Sequence, residues 1–219
     1  ECGIASFSKD LKENLSLWGQ NAEILAINDE GSNYDYHEEV VFELNQESKD
    51  DYKRAAHFVN ERDIDAVFVE HEFGIFGGPD GEYILDFIEK LNKPLILNTH
   101  TVLPNPSDNQ RRILQKLGEK ALAVICMTHR STELMNKVYD VPKEKLFMVH
   151  HGVPLFKEKP RDALKAAYDI TGRPLVTTFG FIGPGKGIEI GITAISRLKK
   201  KYPDIIYLVA GETHPNLKK

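Results

Sequence analysis

The stretch Thr177–Gly191, TTFGFIGPGKGIEIG, decides how the chain is read. The run Leu175–Phe179 leads into a glycine-rich turn, and a helical pattern starts at Ile188, which reads as strand, loop and helix. Gly180, Gly185 and Lys186 fill most of the G-x-x-x-x-G-K-[ST] pattern of a phosphate-binding loop. Its last place needs a hydroxyl to hold Mg²⁺, and Gly187 stands there instead. What is left is a lysine at the tip of a glycine turn. Such a cation suits a leaving phosphate or diphosphate, because it neutralises charge without a metal. Standing alone, the loop reads as a solvated lysine.

Working outward, the same alternation fills the chain. Strands are predicted over Glu23–Ile27, Val40–Leu44, Asp65–Val69, Pro94–Asn98, Ala121–Cys126, Lys145–Val149, Leu175–Phe179 and Ile205–Val209. Helical patterns cover Ser6–Leu17, Lys49–Arg62, Glu82–Asn92, Asp108–Glu119, Arg130–Tyr139 and Ile188–Tyr202, and the stretch 33–38 reads as loop. Nearly continuous apolar strands between helices predict an α/β fold with parallel sheets covered on both faces. In such sheets ligands bind beyond the carboxyl ends of the strands. The charged stretch bracketed by Pro154 and Pro160 reads as a linker, giving units 1–155 and 156–219. The opening ECGIASF places a glycine turn directly before a helix, which predicts a strand preceding it.

Hydrophobic residues make up 41% and charged residues 28% of the 219, an ordinary globular balance, and the net charge is −5. That sign argues against general binding to nucleic acid or to acidic membranes. Cys2 and Cys126 form neither a disulfide framework nor a metal spacing, so a reducing, cytoplasmic setting is expected.

Five loops are candidates for chemistry. Gly3 allows a tight entry into the first helix, whose amino end would favour an anion, or it is a plain turn capped by Ser6. In VEHEFGIFGGPDGEY, His71 and Glu72 precede Gly74, Gly77, Gly78 and Gly81. The loop either carries ligand-facing groups or packs its aromatics on the core. H-E-x-x-H is absent there, so no metal site is expected. His100 follows the strand Pro94–Asn98, where a parallel sheet offers side chains to substrate. His150 and His151, adjacent on extended backbone, point opposite ways and read as a chain reversal. The fifth loop is that of Lys186.

In this order the loops resemble those of the retaining glycosyltransferases of the GT-B fold, the large group that includes sucrose synthases and bacterial mannosyltransferases. CGIASF resembles the first glycine loop of that family. HEFGIFGG and NTHT resemble the next two acceptor-side loops, and HHGVP the turn at the domain crossing. FGFIGPGKGIE resembles the donor-domain G-R-L-x-x-x-K-G-x-x loop. The resemblance implies a Rossmann-like first domain, and the beginning of a second that binds a nucleoside-diphosphate sugar. It implies that Gly3, Lys186 and Gly187 meet the donor diphosphate. His100 would sit beside the transferred sugar as the catalytic residue, with His71, Glu72, Gly77 and Gly78 on the acceptor or sugar side. A carbohydrate or other hydroxyl acceptor would lie near Phe73–Gly81 and Pro104–Arg112. No cofactor and no metal are implied beyond the sugar nucleotide itself. The leaving diphosphate would take the acceptor's proton, and the anomeric configuration would be retained.

Two departures stand out. The family's Arg five residues before the Lys is Phe181 here, and no E-x₇-E pair lies in the donor-domain stretch 156–219. They keep open a non-catalytic, glycosyltransferase-like binding module or inactive fragment. A nucleotide-sugar epimerase of the same fold is the other alternative. A phosphorylase would need a phosphate pocket or a pyridoxal lysine context, which the sequence does not display.

Overall fold

The computed structural model describes residues 3–29, 31, 34–36, 38–153 and 155–213. Cys2, Asn33, His37 and Pro154, which figured in the expectations above, lie outside them. The chain divides into two compact units, Glu1–Gly152 and Val153–Lys219.

The first unit begins with α1 (Gly3–Leu17), then β1 (Ile24–Asn28), β2 (Val40–Asn45) and α2 (Lys49–Asn60). There follow β3 (Val67–His71), α3 (Ile84–Lys90), β4 (Leu95–Thr99), α4 (Asp108–Lys120), β5 (Ala123–Cys126), α5 (His129–Lys137) and β6 (Leu146–Met148). β1 pairs with β2, and β3-β4-β5-β6 form a four-stranded sheet in chain order, every pair parallel. Sequential parallel strands need a crossover each, and α3, α4 and α5 supply them.

Local chemistry starts these helices where it should. Ser48 caps α2 by accepting from the Asp51 amide, and Asp50 and Asp51 lie in its first turn, where the helix dipole favours acids. Capping boxes open α4 (Ser107 with Gln110) and α5 (Thr128 with Ser131). The inward residues of α2 are Tyr52, Ala55, Ala56 and Val59, and those of α4 are Ile113, Leu114, Leu117 and Gly118. Both sets follow the i, i+3, i+4 spacing of one helical face. They close over Leu95, Leu97 and Val124 in one core that Leu44 of β2 also joins. Each buried Leu, Ile or Val side chain here contributes roughly 1.5–3 kcal/mol of burial.

The second unit contains α6 (Arg161–Ala167), β7 (Leu175–Phe179), α7 (Ile188–Leu198) and β8 (Ile206–Ala210), with β7 and β8 parallel. α6, which the helical patterns read from the sequence did not include, follows directly after Pro160, the end of the expected linker. Pro160 precedes its first residue, a position where the missing N–H costs nothing, and Asp162 sits in its first turn. Helix α7 runs close to β8 because Gly191 has no side chain; a Cβ there would lie 2.3 Å from the Tyr207 hydroxyl.

One correction concerns α1. It starts at Gly3 rather than Ser6, and Gly3 is not among the glycines with positive φ. Gly3 is therefore the first residue of the helix rather than a strained turn before it, and its amide is one of the four that a helix leaves without internal partners. Among the described residues, no helix is long and apolar enough to cross a membrane.

Candidate functional site

The carboxyl ends of β3 and β4 carry a connected polar cluster. In a strand, side chains alternate between faces. His71 and Thr99 fall on the face that packs against the core, while Glu70 and Asn98, paired in register, fall on the other. The Glu70 carboxylate oxygen Oε2 accepts from Asn98 Nδ2 at 2.8 Å and pairs with His100 Nε2 at 2.8 Å. His100 and Glu70 side chains are each about nine-tenths buried, at 10% and 11% exposure. The His100 backbone amide donates to the His71 carbonyl, which extends the ladder one residue past the strand. Phe7 of α1 lies edge-on to the His100 ring, with centroids 4.8 Å apart, and also meets His151 at 5.2 Å. Segments of the first, third and fourth loops thus converge on one aromatic ring.

His100 therefore stands where the sequence reading put it, but its partner is new. Glu70 was counted as a loop residue, because the apolar run ends at Val69. The alternation Phe68, Glu70 on one face, and the register with Asn98, are the signals that mark it.

The neighbouring expectations come out differently. His71 is fully buried, against Phe73 and Phe76, and neither ring nitrogen has a hydrogen-bond partner. Burial first, and then the nearby His100, lower its pKa to about 4, so the imidazole is neutral. In this conformation it offers no atom to a sugar. Glu72 accepts from the Thr101 hydroxyl and from the Phe73 amide, which pins the loop after β3 to the loop after β4.

Gly77 and Gly78 are set by packing. A Cβ on Gly77 would lie 1.9 Å from the Gln46 carbonyl oxygen, and one on Gly78 would lie 2.4 Å from the Tyr83 ring. The Gly77 amide donates to the Tyr52 hydroxyl, which donates onward to the Gln46 carbonyl. Burial pushes that phenol up to about 12. Nearby, Asn109 donates to Asp80 (3.1 Å) and Arg112 to Glu82 (2.7 Å), holding together the two stretches where an acceptor was expected.

In the second unit the loop between β7 and α7 turns on three glycines in positive φ: Gly180 (123°), Gly185 (84°) and Gly187 (65°). Gly187 is the N-cap of α7. Lys186 is exposed, and among the described residues its ammonium has no ion pair. A free cation thus stands next to the positive end of a helix. Phe181, where the resemblance led to the expectation of an Arg, is 42% exposed. Among the described residues, no group of three or more His, Cys, Asp or Glu side chains is arranged to hold a metal ion.

No protein-family model matches the chain. Over 147 residues it is 25% identical to an alpha-D-kanosaminyltransferase of Streptomyces kanamyceticus, which covers 59% of this chain and 38% of that protein. The crystal structure of a glycosyltransferase from Rickettsia africae ESF-5 matches with a TM-score of 0.65 at 15% identity, over 98% of this chain and 59% of that one. The chain thus spans less than two thirds of the length of either. It is homologous to glycosyltransferases, and its parallel α/β fold is shared with one of known structure.

Proposed function

We propose that the protein is a retaining glycosyltransferase of the GT-B type, moving a sugar from a nucleoside-diphosphate donor to a hydroxyl acceptor. The observation that carries this reading is the His100 imidazole, braced by Glu70 at the carboxyl edge of a parallel sheet. There a ring fixed by a hydrogen bond can contact a sugar. Lys186, beside the amino end of α7, takes the diphosphate as it leaves and supplies the positive charge that a metal supplies elsewhere. The amides at the start of α1, Gly3 among them, form a second anion-favouring helix end. The acceptor's proton passes to the departing diphosphate, so no paired carboxylates of the glycosidase kind are required. The homology to a kanosaminyltransferase supports transfer chemistry; the donor base and sugar are left to experiment.

The test is turnover of the intact protein on a panel of nucleoside-diphosphate sugars, with and without EDTA, and with the anomeric proton coupling of the product read by NMR. His100→Ala and Lys186→Ala are each expected to lower kcat roughly 100-fold, the scale of one lost transition-state group. EDTA is expected to leave the rate unchanged. Wild-type rates in both variants would remove the assignment, and an inverted product would overturn retention. A non-catalytic binding module is the second reading, favoured by Phe181 in the place of a cation. It predicts that a nucleoside diphosphate raises the melting temperature while no donor is turned over.

A further inference from the structure

Glu70 is drawn into the site by its neighbours, and its geometry fixes the chemistry of the ring beside it. A neutral imidazole carries its proton on one nitrogen only, and which one depends on the hydrogen bond that the other end makes. His100 Nε2 faces a carboxylate oxygen, which can only accept, so Nε2 carries the hydrogen. Asn98 donates to the same oxygen and holds it in place. Phe7 stands perpendicular to the ring, which limits its rotation. Nδ1 has no hydrogen bond among the described residues, yet it is not one of the buried unpartnered atoms. It is the nitrogen left to the outside.

We propose that Glu70 is a positioning residue: it holds His100 as the Nε2–H tautomer, so that Nδ1 is an acceptor and takes a hydrogen bond from a hydroxyl of the substrate. The tautomer stands on geometry alone, and only the identity of the hydroxyl rests on the glycosyl-transfer reading. The consequence for specificity is direct. An acceptor nitrogen backed by a carboxylate matches the hydroxyl face of a sugar and rejects phosphate oxygens, which offer no donor and add like charge. The diphosphate therefore has no place at His100.

The tautomer is read by long-range ¹⁵N–¹H correlation NMR, with the His100 signals identified by their loss in His100→Gln. The wild-type ring is expected to show a protonated Nε2 and a bare Nδ1. In E70Q the side-chain amide oxygen still accepts from Nε2 and from Asn98 Nδ2, so the tautomer is kept. In E70L it is lost to a mixture. Because E70L also leaves the Asn98 amide without its acceptor, backbone spectra of both variants establish folding first. If E70L does not fold, the E70Q and wild-type spectra still decide the tautomer.

Turnover follows the same order. E70L is expected to lose roughly 10-fold or more in kcat, the scale of lost support behind a functional imidazole, with little change in KM; E70Q recovers part of the loss. A wild-type ring in the Nδ1–H form, or an E70L ring with the wild-type tautomer, overturns the role of Glu70 whatever the activity. The expected tautomer with unchanged E70L turnover overturns the role of Nδ1 toward substrate. Absence of transfer by the wild-type protein overturns the functional reading instead, and the tautomer result stands apart from it.

Discussion

β4 and β7 are both five-residue parallel strands, and each leads into a loop with a candidate functional side chain. Their surroundings differ sharply. Leu95 and Leu97 of β4 are 1% and 0% exposed, whereas Val176 and Phe179 of β7 are 41% and 89% exposed. In the first unit, then, a packed core fixes the backbone, and side-chain hydrogen bonds fix His100 upon it. In the second, the Lys186 loop owes its shape to the φ angles of three glycines and to backbone bonds such as Gly180 N–H to the Ala210 carbonyl. One site is held by packing and the other by conformation, and the two break in different ways.

The largest effect is expected in the packed strand. Leu97→Ala leaves a cavity with no room to relax and should destabilise the first unit by roughly 2–5 kcal/mol. Val176→Ala, on a half-exposed strand, should cost about 1 kcal/mol or less. Urea denaturation of each variant checks this. Equal losses would mean that the two strands are equally enclosed in solution, and the contrast would fall.

Next in size is a pH effect confined to the first unit. His71 titrates near 6.5 when unfolded and near 4 when folded. The folded state therefore binds fewer protons between those values, and the stabilisation is full above pH 6.5. It declines as pH falls through the folded pKa, by about 3 kcal/mol once pH is below it. The main cause is burial, with a smaller contribution from the neighbouring His100. Subtracting the stability of His71→Leu at each pH isolates this group from the carboxylates. The difference is expected to be flat above pH 6.5 and to fall steadily from there to pH 4. A flat difference across the whole window would mean that the ring gains a hydrogen-bond partner or solvent in solution.

The same contrast explains what could be read in the sequence. Apolar runs located all eight strands, yet the predicted ranges for β1, β2, β3, β4 and β8 stop one or two residues short of the observed ends. The ladder runs on through polar residues because the paired strand carries it: Glu70 opposite Asn98, and His71 opposite Thr99. Those polar ends are where the site lies, so reading strands by hydrophobicity cut Glu70 away from His100. Helix α6 was missed for a related reason. Its residues are mostly charged or small and none is buried, so no apolar period announces it. His71 shows the reverse error: a histidine beside a glycine loop looks reactive, and only the alternation of faces reveals that it points into the core.

The smallest effect, and the finest probe of the comparison, is at Gly187. Its φ of 65° is in the left-handed region, while the nearest atom to an added Cβ, Ile190 Cδ1, is at an ordinary 3.7 Å. The cost of Gly187→Ala is thus conformational, about 1 kcal/mol. It should appear as faster amide exchange over Ile188–Gly191 and leave the first unit's amides unchanged. Asn tolerates this conformation better than Ala, so Gly187→Asn should be the milder of the two. At Gly77 the ranking must reverse. There the obstacle is the Gln46 carbonyl at 1.9 Å, φ is not positive, and a larger side chain can only make the overlap worse. If Asn were the worse substitution at Gly187, sterics would govern that loop as well, and the distinction between a site held by packing and one held by backbone conformation would be lost.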